Sequence, residues 1–209
     1  MTSITKRIWK PSYEMPMKSG AIDQQTIQKA LQPESDLERF IMSQPEWIKG
    51  TLWGTPRPGH PEGTVLFHLM EVLENVDKAP LDRSTRASLR LITLIHDSFK
   101  HLEETERPRT DWKLHHAYIA AAFSRTIGMD NAISEVIELH DEAFYCWKTY
   151  VFGNHKQAIN RLDNLMDRLG KNVQLYYLFF KCDTKTGNKF QDSLEWFEKN
   201  AKGIQLVDF

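Results

Sequence analysis

The sequence predicts an all-α protein, a bundle of helices around one core, and three observations predict it. Apolar side chains recur at steps of three and four through most of the chain, the spacing that lines one face of a helix. No stretch alternates apolar and polar residues as a half-buried strand would. Finally, 209 residues, 41% of them hydrophobic, can bury a substantial core without staples.

The elements follow in order. The first 20 or so residues mix Lys, Pro, Ser and Gly without a period and read as an arm lying on the domain. "DQQTIQKALQ" opens on an Asp cap, and "PESDLERFIMSQ" carries Leu37, Phe40 and Ile41 at helical spacing. These segments make residues 1–45 an arm with a short helical extension, and residues 46–209 the main domain. "WIKGTLWGTPRPGHPEG" is rich in Gly and Pro and reads as a loop. "TVLFHLMEVLENV" then repeats Val65, Leu69, Val72 and Val76, with Thr64 as a cap and His68 pointing inward among them. "RSTRASLRLITLIHDSFKH" does the same through Leu89, Ile92 and His96. "TDWKLHHAYIAAAFSRTIG" puts His116, Ala120 and Phe123 on one stripe and closes at Gly128. "NAISEVIELHDEAFYCWKTY" reads as one helix with Ile133, Ile137, His140 and Phe144 together. A last pair, "NHKQAINRLDNLMDRLG" and "KNVQLYYLFFKCDTKTG", brings Tyr176, Phe180 and Asp183 onto one face.

Composition excludes several classes. A formal net charge of −1 argues against nucleic-acid binding by bulk charge. Cys146 and Cys182 match no metal-binding spacing and form no disulfide framework. The N-terminus lacks the apolar core of a signal peptide, and no apolar run reaches about 18 residues. The expectation is a soluble protein of a reducing cytoplasm with no membrane partner.

Against this ordinary background, "LITLIHDSFKH" ends an apolar run on a histidine and an aspartate, two groups that are costly to bury unless paired or bound to a metal. The same placement recurs. Five helices present His68, His96 with Asp97, His116, His140 and Asp183 at inward positions. A hydrogen-bonded core imidazole explains any one of them. Five would each need a separate polar partner in the same core, whereas convergence on shared cations satisfies all of them together.

The order of His68, His96-Asp97 and a distant Asp183 resembles the HD-domain superfamily of metal-dependent phosphohydrolases. "GHPEGTVLFHLMEVLENV" is similar to the first helix of the HD domain of bacterial CCA-adding tRNA nucleotidyltransferases. "LITLIHDSFKH" is similar to that family's Leu-rich helix ending in His-Asp, two residues and Lys. "YYLFFKCDTKTGNK" resembles its late helix, which ends in Asp and a short basic turn with glycine. The resemblance covers residues 46 to 198 or so. It departs at Phe99, where the family usually has Gly before the lysine, and no nucleotidyltransferase head is present.

The resemblance implies an HD-domain bundle with its metal site between core helices. His68, His96, Asp97 and Asp183 would bind one divalent cation, with Asp97 bridging to a second, and His116 and His140 match the extra histidines of the binuclear branch. The implied cation is Mn, Fe, Co, Ni or Zn, or Mg, in one or two copies. It would lower the pKa of bound water toward about 7, giving a hydroxide that attacks a phosphate mono- or diester, with a nucleotide as the small-molecule substrate. Asp97 and Lys100 would carry the chemistry, and Lys100, His60 and Glu62 would line the pocket and contact phosphate. Two alternatives use the same ligands: a di-iron oxygenase, and a non-catalytic metal-stabilised binding domain.

Neighbouring residues need separate readings. His115 adjoins His116 but points about 100° away on a helix, so one of the two faces the metal; His116 shares its stripe with Ala120 and Phe123. Asp141 makes a second His-Asp dipeptide but falls on the charged side with Glu138 and Glu142, so it reads as solvated or behind the ligands. His101 and His155 read as surface residues. Arg57, Arg107 and Arg109 lie in loops that could meet a phosphate. Trp147, Tyr150, Tyr176, Tyr177, Phe179 and Phe180 read mostly as core, with one ring near the metals available to stack on a base.

Overall fold

The computed structural model describes residues 23–58, 60–103 and 111–209. The expected arm and the loop arginines Arg107 and Arg109 lie outside the described residues. The fold is all-α, as the periodicity predicts, and no strand forms among the described residues. The helices are α1 (Gln24–Leu31), α2 (Asp36–Ile41), α3 (Pro45–Thr51), α4 (Val65–Lys78), α5 (Arg83–His96), α6 (His116–Thr126), α7 (Asn131–Leu139), α8 (Glu142–Val151), α9 (His155–Leu169), α10 (Val173–Thr184) and α11 (Asp192–Asn200). No helix among the described residues is long and apolar enough to cross a membrane.

Helix α5 is the hub, packing against α4, α6, α7 and α10. Its apolar face supplies Leu89, Ile92 and Ile95 to a core shared with Leu69 and Val72 of α4, Ile137 of α7 and Phe179 of α10. The two short N-terminal helices belong to this same core through Ile27, Leu31 and Ile41. Arg90 of α5 is buried and donates from Nε and Nη2 to the two oxygens of Glu38 on α2, at 3.1 and 2.8 Å. A paired, forked contact of this kind makes the buried charge tolerable. Phe40, expected inward with Leu37 and Ile41, is 48% exposed instead, because α2 spans only six residues and turns Ile41 to the core.

Two other expectations are corrected. The Gly- and Pro-rich loop begins as helix α3, which Pro45 starts from a position where a missing N–H costs nothing. Trp47 of α3 is fully buried and donates its indole N–H to the Leu94 carbonyl at 2.6 Å. The helix expected over 131–150 is two helices, α7 and α8, broken at His140 and Asp141. The break resets the helical phase, so Phe144 leaves the stripe it would have shared with Ile137 and is 38% exposed. Asp23 accepts from the Thr26 N–H at 2.8 Å, and Gly128 takes the left-handed conformation (φ 75°) after α6, whereas Thr64 stands at the N-cap of α4 without a capping hydrogen bond from its side chain.

Candidate metal centre

The polar side chains of five helices meet where those helices end. His96 is the last residue of α5, Asp97 follows it, His116 opens α6, His140 follows α7 and Asp183 lies next to the end of α10. His68 alone of these sits away from a helix terminus, one turn into α4. His68, His96, Asp97, His116 and His140 are all buried.

Asp97 divides them into two sets. Its Oδ2 lies 3.6 Å from His68 Nε2 and 3.5 Å from His96 Nε2, while those two nitrogens are 3.3 Å apart. Asp183 Oδ1 joins this set, 2.9 Å from His68 Nε2 and 3.9 Å from His96 Nε2. Asp97 Oδ1 faces the other set, 3.5 Å from His116 Nε2 and 3.4 Å from His140 Nε2, which are 3.3 Å apart. Metal bonds of about 2.0–2.2 Å put neighbouring donor atoms about 3.0–3.4 Å apart, so both sets have the spacing and the N/O chemistry to hold a divalent cation.

The far sides of the rings fix which atoms are free to ligate. His96 Nδ1 faces the Thr93 carbonyl at 2.9 Å and His140 Nδ1 the Ile137 carbonyl at 2.7 Å. A carbonyl only accepts, so Nδ1 carries the proton in each ring and Nε2 presents a lone pair. His116 Nδ1 donates likewise to the Glu103 carboxylate. His68 Nδ1 lies 3.6 Å from Glu62 Oε1 and 3.5 Å from Thr186 Oγ1. Asp97 Oδ1 faces the Nε2 atoms of His116 and His140 and is buried without a hydrogen bond from the protein. A cation held there would give that buried oxygen a partner.

Electrostatics around the cluster are correspondingly strong. Burial would raise the Asp97 and Asp183 carboxyls, but for Asp97 the positive charge of Lys100 and the neighbouring imidazoles outweighs it, and for Asp183 that of Lys189 and His68; both are held well below the usual carboxylate range. Burial pushes His68 down, and His96 down to about 3. His116 moves up, because Asp141 and Asp97 outweigh its burial.

The remaining expected site residues fall as follows. Lys100 donates from Nζ to Asp97 Oδ2 at 2.6 Å, and its pKa is raised because Asp97 and Asp141 outweigh burial. Glu62 is buried behind His68 rather than lining the main cavity, and its Oε1 pairs with His60 Nδ1 at 2.9 Å. His60 does line that cavity. His115 caps α6, its Nδ1 accepting from the Ala117 N–H at 3.1 Å, while its ring stacks on His116 and its Nε2 lies 3.9 Å from Asp141 Oδ2. Phe99 is buried against Phe123, ring centres 4.9 Å apart, and does not line the cavity. His101 is not a surface residue, since its side chain is 13% exposed and Nε2 pairs with Glu46 at 2.7 Å. His155 is exposed as expected, and Arg57 is too.

Three residues escaped the sequence reading. Asp141, expected to be solvated or behind the ligands, has a side chain 29% exposed that turns to the cluster, its Oδ2 3.3 Å from His116 Nε2 and 3.6 Å from His140 Nε2. The second His-Asp dipeptide was the available signal. Glu103 and Lys189, which donates to Asp183 Oδ1 at 3.1 Å, carried none. The cluster opens on a cavity of about 610 Å³ that includes Asp97, His140, Asp141 and Asp183 together with the rings of Phe144, Trp147 and Phe190. Compared with known proteins, the chain matches no family model, no curated protein and no solved structure.

Proposed function

We propose that the chain is a metal-dependent phosphohydrolase of the HD type, acting on a phosphate mono- or diester of a nucleotide. The observation that carries this reading is Asp97, a buried carboxylate whose two oxygens each face a separate histidine pair beside an open cavity. The resemblance of "GHPEGTVLFHLMEVLENV" and "LITLIHDSFKH" to HD-domain segments supports it. The mixed imidazole and carboxylate donors suit Mn, Fe, Co, Ni or Zn, and less well Mg. Two buried free cysteines fit a reducing cytoplasm.

When bound, a divalent cation supplies Lewis acidity and a nucleophilic water at neutral pH. The protein's own side chains do the rest. Lys100 and Lys189 each hold a carboxylate of the cluster and line the cavity, where an anionic phosphoryl oxygen would find them. His60, held by Glu62, presents its ring to the same space. Phe144, Trp147 and Phe190 offer apolar faces on which a base can stack.

The test is phosphate release from nucleotides, cyclic dinucleotides and generic phosphoesters by metal-free protein resupplied with Mn, Co, Ni or Mg. Release that requires added metal and is lost in Asp97→Asn is expected. Bound iron with substrate-dependent oxygen uptake and no phosphate release would overturn hydrolysis in favour of an oxygenase.

A further inference from the structure

The chain contains the same local device twice. In "LIHD" the helix α5 ends on His96, whose Nδ1 donates to the carbonyl three residues earlier, Thr93, at 2.9 Å. Asp97 follows it and turns into the cluster. In "ELHD" the helix α7 ends before His140, whose Nδ1 donates to the carbonyl three residues earlier, Ile137, at 2.7 Å. Asp141 follows and also turns into the cluster. In both, a helix end frees the backbone so that an imidazole Nε2 and the next carboxylate face one point.

We propose that Asp141 is a protein ligand of a second cation, completing a set of Asp97 Oδ1, His116 Nε2, His140 Nε2 and Asp141 Oδ2. The proposal rests on the reading of the cluster as a centre for two cations and adds to it a protein ligand, Asp141. Asp141 stands to the second histidine pair as Asp183 stands to the first. Its Oδ2 is 3.3 and 3.6 Å from the two Nε2 atoms, whereas Asp183 Oδ1 is 2.9 and 3.9 Å from its pair. Each set then consists of two imidazole nitrogens and two carboxylate oxygens, with Asp97 shared.

Hydrogen bonding alone does not account for the arrangement. His116 and His140 spend their Nδ1 protons on Glu103 and on the Ile137 carbonyl, so both rings turn Nε2 toward the two carboxylates. Asp97 Oδ1, buried and without a hydrogen bond, points into the same space. Two imidazole nitrogens and two carboxylate oxygens converging on one space make the mixed N/O donor set of a divalent cation. Asp141 also lines the main cavity, so the second cation would face the same space as the first.

The experiment is calorimetric titration of metal-free protein with Mn²⁺, with metal content counted after desalting, for the wild type and Asp141→Asn. Two ions are expected in the wild type. In Asp141→Asn the second should weaken by at least the about 10–100-fold that losing an outer partner of a ligand costs, while the first is retained. Should Asp141→Asn fail to fold, Asp141→Cys loaded with Co²⁺ is read for a sulfur-to-cobalt charge-transfer band, which appears only if residue 141 ligates. One ion in the wild type, an unchanged second affinity in Asp141→Asn, or no such band in a folded Asp141→Cys overturns the assignment and leaves the first site standing. No ion in the wild type overturns both this ligand and the proposed hydrolase.

Discussion

At the scale of single residues, Asp97 and Lys100 form the most consequential pair. Lys100 neutralises an Asp97 carboxylate that burial alone would keep protonated, and it does so from the wall of the cavity. If its ammonium also meets a phosphoryl oxygen, Lys100→Ala removes one charge-assisted hydrogen bond, of about 1.5–3 kcal/mol. The expected outcome is a fall of about 10–100-fold in kcat/KM with metal content unchanged; an unaltered kcat/KM would place Lys100 outside the substrate's reach. His68, His96, His116, His140 and Asp183 were legible because each lies in phase with apolar neighbours. Asp141 was not, because a single helix over 131–150 carries it round to Glu138 and Glu142, and only the break at His140 returns it to the cluster. Glu103 was illegible for another reason: a carboxylate behind a histidine, 13 residues away in sequence, follows no local period.

At the scale of elements, the site depends on how closely helix ends approach one another. Gly50 of α3 shows how little room is left: a Cβ there would sit 1.5 Å from the Ser98 carbonyl oxygen, one residue beyond Asp97. Gly50→Ala must therefore push α3 away from the end of α5. A destabilisation of about 1–3 kcal/mol, the usual cost of overpacking, is expected in thermal melts, together with weakened metal binding as Asp97 moves. Full stability with native metal affinity would show that α3 can shift without disturbing the site. The sequence reading placed Gly50 in a loop because glycine and proline dominate that stretch. The anchor that makes it helical, Trp47 donating to Leu94, joins residues 47 positions apart and leaves no mark on local composition.

At the scale of the molecule, a polar cluster inside an apolar bundle ties stability to protons. His68 and His96 are held neutral by burial, so in the metal-free protein the unfolded chain takes up protons first. That sets a stability that is present above about pH 6.5 and drains away as pH falls toward the value of about 3 reached by His96. His116 acts in the opposite sense: with its folded pKa raised, it contributes below about pH 6.5 and loses that contribution as pH rises through its folded value. Two lowered histidines outweigh one raised, so metal-free protein should melt at a lower temperature at pH 5 than at pH 7. A melting temperature that climbs on acidification would contradict burial as the controlling effect. The all-α architecture was readable from apolar spacing alone. The inclusion of α1 and α2 in the same core was not, because the buried Arg90–Glu38 pair that fastens them spans 52 residues.

Anomalous diffraction from Mn²⁺-soaked crystals tests most directly the proposal that the buried polar cluster holds cations shared between helix ends. A peak enclosed by His68, His96, Asp97 and Asp183 is expected, with a second between Asp97, His116 and His140. Crystals whose only anomalous peaks lie at surface carboxylates, with none inside the cluster, would contradict it.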